Sequence, residues 1–161
     1  MTRLLTLVVL GIAVRSTFCE AESKRIRVTA QVVQTAFTGD PDHPKIGDQL
    51  ITSVVLSDKS GTEVGTGAGA CTVVSVPPLD VLTQCLITAV LTDKGQIIFG
   101  GVAPLPDIGT VGRFGILGGT DDFRKAQGEV TLVVLSPEFQ DATFDLDFGS
   151  ARRMAHGADA P

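Results

Sequence analysis

Residues 115–130 read GILGGTDDFRKAQGEV: an apolar run that breaks at a Gly-Gly pair, crosses a charged corner and resumes as a second apolar run. Gly118, Gly119 and Gly128 fence Asp121, Asp122, Arg124 and Lys125 in a chain of which only 19% is charged. Glycine lets a backbone turn sharply, and a cluster of charges in such a turn faces water. The stretch therefore reads as two neighbouring antiparallel strands joined by a tight corner.

The same two-residue period continues outward in both directions. Apolar and polar positions alternate over 26–37, 48–57, 62–75, 83–92, 96–104, 112–118, 126–136 and 141–148, which is the signature of half-buried strands. Asp58-Lys59-Ser60-Gly61 and Asp93-Lys94-Gly95 lie between apolar runs, and Asp and Gly tolerate the positive backbone angles of hairpin turns. No segment sustains a helical period, and Pro77-Pro78, Pro104 and Pro106 punctuate the connections. The fold class is all-β: an eight-stranded antiparallel barrel, closed because closure removes exposed edges. Eight strands leave an interior that is filled by side chains or holds one small ligand. Phe144, Leu146 and Phe148 alternate with Thr143, Asp145 and Asp147, so the last strand has one apolar face. Gly65, Gly67 and Gly69 alternate on the third, where close packing or strong curvature leaves no room for side chains. Strands 83–92 and 126–136 are apolar on both faces, which calls for another subunit, in a homo-oligomer, to cover the outer one.

Composition narrows the function. The chain has 161 residues, a net charge of −5 and 43% hydrophobic residues, enough for one domain with a core. The acidic balance and the lack of a basic stripe exclude a nucleic-acid partner. Arg3 followed by the apolar run Leu4 to Val14 reads as a secretory signal over 1–21, cleaved after Cys19 or Ala21; Arg15 would sit badly in the alternative, a buried first strand. The barrel then spans 22–148, with 149–161 a flexible tail, in a secreted or secretory-lumen protein with no membrane attachment. His43 and His156 stand alone, with no nucleophile triad, metal-ligand spacing or phosphate loop. No metal and no cofactor is expected.

The corner resembles the Gly-Gly-Thr-Gly…Phe-Arg…Ala-Arg-Gly corner of dirigent proteins and the Gly-Gly-Ser-Gly…Phe…Tyr-Gly-Gln-Val corner of allene oxide cyclases. Residues 47–74, GDQLITSVVLSDKSGTEVGTGAGACTVV, and 92–102, TDKGQIIFGGV, resemble further strands and turns of those families in the same order. The resemblance spans 26–148 and implies an eight-stranded barrel with an apolar cavity, dimeric or trimeric, that binds reactive organic intermediates and selects a stereoisomer. It also implies that the corner is structural first: Phe123 plugs the barrel end and Arg124 bonds carbonyls or Asp121 and Asp122 across the turn. The acid chemistry of these relatives does not transfer. The cyclases' first-strand Glu falls near Gln31 or Gln34, no Asn occurs to match theirs on the second strand, and the dirigent Asp is absent. Cys71 falls where the cyclases have a cavity-facing Cys.

The expected catalytic residues are accordingly Gln34, Thr52 and Arg113, as hydrogen-bonding groups, with Gln31, Cys71, Phe99, Phe114 and Phe144 contacting a hydrophobic small molecule. If the hairpin through Val76–Asp80 centres on Pro78, Cys71 lies opposite Cys85. Such pairs stand about 4.5–5.5 Å apart at Cβ, so the two form a disulfide or remain as two buried thiols. The expected activity is a cofactor-free cyclase that captures an apolar intermediate, such as a quinone methide, and directs a hetero-Diels–Alder or related cycloaddition. Three alternatives stand beside it: a carrier of a lipophilic molecule, a dirigent-type guide of radical coupling, and a secreted interaction module.

Overall fold

A computed structural model describes residues 22–149. The expected signal over 1–21 and almost all of the expected tail lie outside these residues. Eight strands follow one another: β1 (Glu22–Phe37), β2 (Gln49–Ser57), β3 (Glu63–Ser75), β4 (Leu82–Leu91), β5 (Gly95–Pro104), β6 (Val111–Gly119), β7 (Ala126–Val134) and β8 (Phe139–Phe148). Each pairs antiparallel with its neighbours in sequence, and β1 pairs with β8, so the sheet closes into a barrel in strand order. Only one turn of 3-10 helix, Asp121–Phe123, interrupts the β-structure of the described residues.

Strand limits differ from the hydrophobic pattern by a few residues, for physical reasons. β1 reaches back to Glu22, the first described residue, because Glu22–Arg25 keep their pairing with Asp145–Phe148 although the side chains are polar. β7 stops at Val134 because Leu135 and Ser136 donate to the Phe139 carbonyl in a tight return. The turn at Asp58 is as the sequence suggests: its Oδ1 accepts from the Ser60 amide at 2.8 Å, the Ser60 hydroxyl at 2.6 Å and the Thr62 amide at 3.0 Å. Those bonds to the charged form hold the Asp58 carboxyl below its ordinary value.

The charged corner between β6 and β7 is a plug with a wet outer side. Asp121 takes a positive φ of 50° and starts the short turn that swings Phe123, fully buried, into the barrel end. The Thr120 hydroxyl accepts from the Gln96 amide and donates to Asp121 Oδ2, both at 3.0 Å. A Cβ on Gly119 would sit 2.4 Å from the Gln96 carbonyl and 2.7 Å from Phe123, and one on Gly128 2.1 Å from the Asp145 carbonyl; only glycine lets the corner close onto the barrel. Asp122, Arg124 and Lys125 point outward into water. Arg124 makes no side-chain bond or ion pair to Asp121, Asp122 or a carbonyl among the described residues, so the expected bridge across the turn is corrected: the exposed guanidinium gains more from hydration.

Around Phe123 the interior is solid. Ile97, Val130, Phe144 and Leu146 are at most 1% exposed, and burying each such side chain contributes roughly 1.5–3 kcal/mol.

Outside, the wall is divided. β1, β7 and β8 carry charges that pair across strands: Arg25 with Asp145, and Arg113 on β6 with Glu129 at 3.5 Å; Gln127 and Glu129 are exposed on β7, which corrects the expectation that 126–136 is apolar on both faces. Beyond the exposed Glu63 that opens β3, the outward positions of β3, β4 and β5 include Thr66, Ala68, Ala70, Thr72, Gln84, Leu86, Thr88, Val90, Gln96, Ile98, Gly100 and Val102, none charged.

Candidate functional site

Strand alternation sends Thr52, Cys71, Phe99, Phe114 and Phe144 inward, and all five line one apolar cavity of about 100 Å³. It occupies the barrel half away from Phe123, beneath the β1–β2, β3–β4, β5–β6 and β7–β8 connections. Space exists there because the inward residues are small: Ala30, Gly69, Ala103, Gly112 and Ala142 all line it. Gly67 and Gly69 turn the β3 wall into bare backbone, which is why the outward-pointing Ala68 also borders the cavity. Val54 and Ile87 lean over these glycines; added Cβ atoms would stand 2.9 and 2.7 Å from them.

The floor is aromatic. The Phe99 ring lies 6.0 Å from Phe114 at 60° and 5.6 Å from Phe144 at 88°, edge-to-face contacts that fix the rings. The rim is formed by Leu50, Pro104, Pro106, Thr110, Val134 and Gln140, of which Pro104 and Pro106 are exposed. No lining side chain is charged or acidic. Thr110 Oγ1 is occupied by the Asp107 amide at 3.1 Å, and Thr88 alternates outward between Ile87 and Ala89. Thr52 and Gln140 are inward polar side chains that make no side-chain hydrogen bond among the described residues, and the Thr110 hydroxyl at the rim keeps its own proton to donate.

Cys71 and Cys85 are directly opposed in the β3–β4 register and joined by a disulfide on the cavity wall. The Thr83 hydroxyl lies 3.5 Å from the Cys85 sulfur and donates to the Ala103 carbonyl at 3.1 Å, which satisfies a fully buried polar group.

Gln31, Gln34 and Arg113 are exposed and do not line the cavity, which corrects the expectation that they face it. Gln31 alternates with the inward Ala30. A bulge between Val32 and Gln34 shifts the β1–β2 register, and Gln34 emerges outward. Arg113 lies between inward Gly112 and Phe114, and its guanidinium pairs with Glu129. Adjacent strand residues face opposite ways, so Arg113 and Phe114 could not share the interior. Gln140, in turn, escaped the sequence reading because the strand was begun at 141. Extending the Phe144–Leu146–Phe148 alternation backward through Ala142 reaches it.

A closed antiparallel barrel, plugged at one end and hollowed into an uncharged cavity at the other, defines a class of hollow β-barrels. Within that class, the family model of the allene oxide cyclase barrel-like domain matches residues 26–144, and the chain belongs to that family. No curated protein sequence matches it. Among solved structures, pyocyanin demethylase is similar at 28% identity and a TM-score of 0.67, covering 76% of this chain and 99% of that one. The Diels–Alderase AbmU from Streptomyces koyangensis is similar at 18% identity and a TM-score of 0.68, over 91% of this chain and 77% of that one. A pterocarpan synthase dirigent protein is similar at 18% identity and a TM-score of 0.61, over 91% and 95%.

Proposed function

We propose that the barrel takes up a neutral, largely apolar small molecule through its open end and directs a ring closure, of hetero-Diels–Alder or related type, without a cofactor. The observation that carries this reading is the cavity itself, with its aromatic floor, glycine wall and absence of any charged lining side chain. Such a site holds reacting atoms in one geometry and excludes water, and orientation alone lowers the barrier of a reaction that needs no proton transfer. Thr52 and Gln140 are the groups placed to hydrogen-bond a substrate carbonyl in that dry setting. Similar barrels named for a demethylase, a Diels–Alderase and a pterocarpan synthase support small-molecule chemistry in this architecture.

Two further proposals follow the same observations. The outer wall of β3–β5, uncharged beyond Glu63 and with Leu86 57% and Val102 52% exposed, is covered by other copies in a homodimer or homotrimer, which light scattering tests. The disulfide suits an oxidising compartment such as the secretory lumen. No helix among the described residues is long and apolar enough to cross a membrane.

The test is product composition. An ortho-quinone methide generated beside an electron-rich alkene should give one cycloadduct stereoisomer in excess with the protein and a mixture without it. Thr52→Val should cost about 1–3 kcal/mol of transition-state stabilisation, a roughly fivefold to 150-fold loss of rate, with folding unchanged. Ligand binding with no change in product ratio identifies a carrier instead.

A further inference from the structure

The disulfide sits in an unusual place for a purely structural crosslink. Cys71 and Cys85 are 8% and 2% exposed, both border the cavity, and Cys71 continues the inward stripe of Gly67 and Gly69. Their strands are covered on the outside by backbone and by outward residues, so a reagent reaches the sulfurs through the rim at Pro104 and Pro106. Cys85 is further shielded by the Thr83 hydroxyl at 3.5 Å.

We propose that Cys71 is a masked covalent-modification site inside the cavity: joined to Cys85 it is inert to small electrophiles, and once reduced it captures a neutral Michael acceptor that enters. The substrate class rests on the proposed function, because an intermediate such as a quinone methide is itself a Michael acceptor. The disulfide then serves to keep a nucleophile from destroying what the cavity handles. The steps balance. A small dithiol delivers two electrons and two protons to the disulfide, yielding two thiols, and is itself oxidised to a cyclic disulfide. The Cys71 sulfur then bonds to the electrophilic β-carbon of the acceptor while its proton ends on the α-carbon of a maleimide or on the oxygen of a quinone methide, which becomes a phenol, with no leaving group and no further redox change. A ligand filling the cavity shields both steps.

The experiment uses the full chain, native or reduced with dithiothreitol and desalted, and treats it with N-ethylmaleimide; intact mass and peptide mapping separate Cys71 and Cys85 from Cys19. The native disulfide pair should remain unmodified, and the reduced chain should gain its first cavity adduct at Cys71, at least tenfold faster than at Cys85. A maleimide on a 5-kDa polyethylene glycol chain should modify neither unless urea is added. Saturating 2-naphthol, a neutral occupant, should slow modification at least fivefold. Cys85→Ser keeps the Cys71 thiol free without reductant and should react as the reduced chain does, while Cys71→Ser should react at least tenfold more slowly. Circular dichroism confirms that each form is folded. Equal rates at the two cysteines, ready reaction with the polymer maleimide, or indifference to 2-naphthol overturns the proposal. None of these readouts involves turnover, so failure of the cyclase reading leaves them intact and is seen separately in the product ratio.

Discussion

At one end of the barrel Phe123 fills the interior beside Ile97, Val130 and Leu146; at the other, Ala30, Gly69, Ala103, Gly112 and Ala142 leave space beneath an open rim. The backbone is the same ladder throughout, so the difference is one of side-chain volume by layer. A plugged end anchors the fold because close-packed side chains transmit strain and resist expansion. That leaves the other end able to stay hollow. On the proposed function, stability and binding fall to different layers of one sheet, and the sharpest experiments alter one layer and read the other.

The largest effect is expected at the plug. Phe123→Ala removes a fully buried ring and should lower unfolding free energy by about 3–5 kcal/mol, measured by urea denaturation. If ligand affinity falls in parallel at temperatures where the variant is still folded, the two layers are not independent. Next is the crosslink: replacing Cys71 and Cys85 together by Ala opens a loop of sequence separation 14 and should cost roughly 3 kcal/mol. The hollow layer responds the other way. Gly67→Leu drives a side chain into Val54 and into the cavity, costing about 1–3 kcal/mol of stability and abolishing binding of a neutral dye. Retained affinity would place the ligand elsewhere.

The smallest effect lies in a turn at the plugged end. Asp58 is held below its ordinary carboxylate value by Ser60 and Thr62, so its contribution is complete above the unfolded-state value and is lost as pH falls through the folded one. Asp58→Ala should therefore lie slightly below the parent in stability at pH 7 and converge with it in strong acid, as thermal melts across the pH range will show.

Much of this was legible in the chain. The alternation of Phe144, Leu146 and Phe148, the hairpin turns at Asp58 and Asp93, and the Gly-rich corner specify antiparallel strands, because side-chain period and turn chemistry are local properties. The symmetric placement of Cys71 and Cys85 about Pro78 was local too, and the pairing follows from a single hairpin. The cavity was only half legible. Thr52, Cys71, Phe99, Phe114 and Phe144 face inward because their strands run without a break in phase through those positions. Gln34 does not, because the bulge at Val32/Gln34 changes which face the next residues take.

What the sequence determined by itself is therefore the strand content, the turns, the order of antiparallel pairing and the opposition of Cys71 and Cys85, all set by neighbours within a few residues or one hairpin. What only the tertiary structure decided is the bond between Cys71 and Cys85, the face taken by Gln31, Gln34, Arg113 and Gln140, and the division of the interior into a plug and a cavity. The last two depend on summed side-chain volume across eight strands and on a bulge that shifts the phase of β1, and neither quantity is carried by any single stretch of the chain.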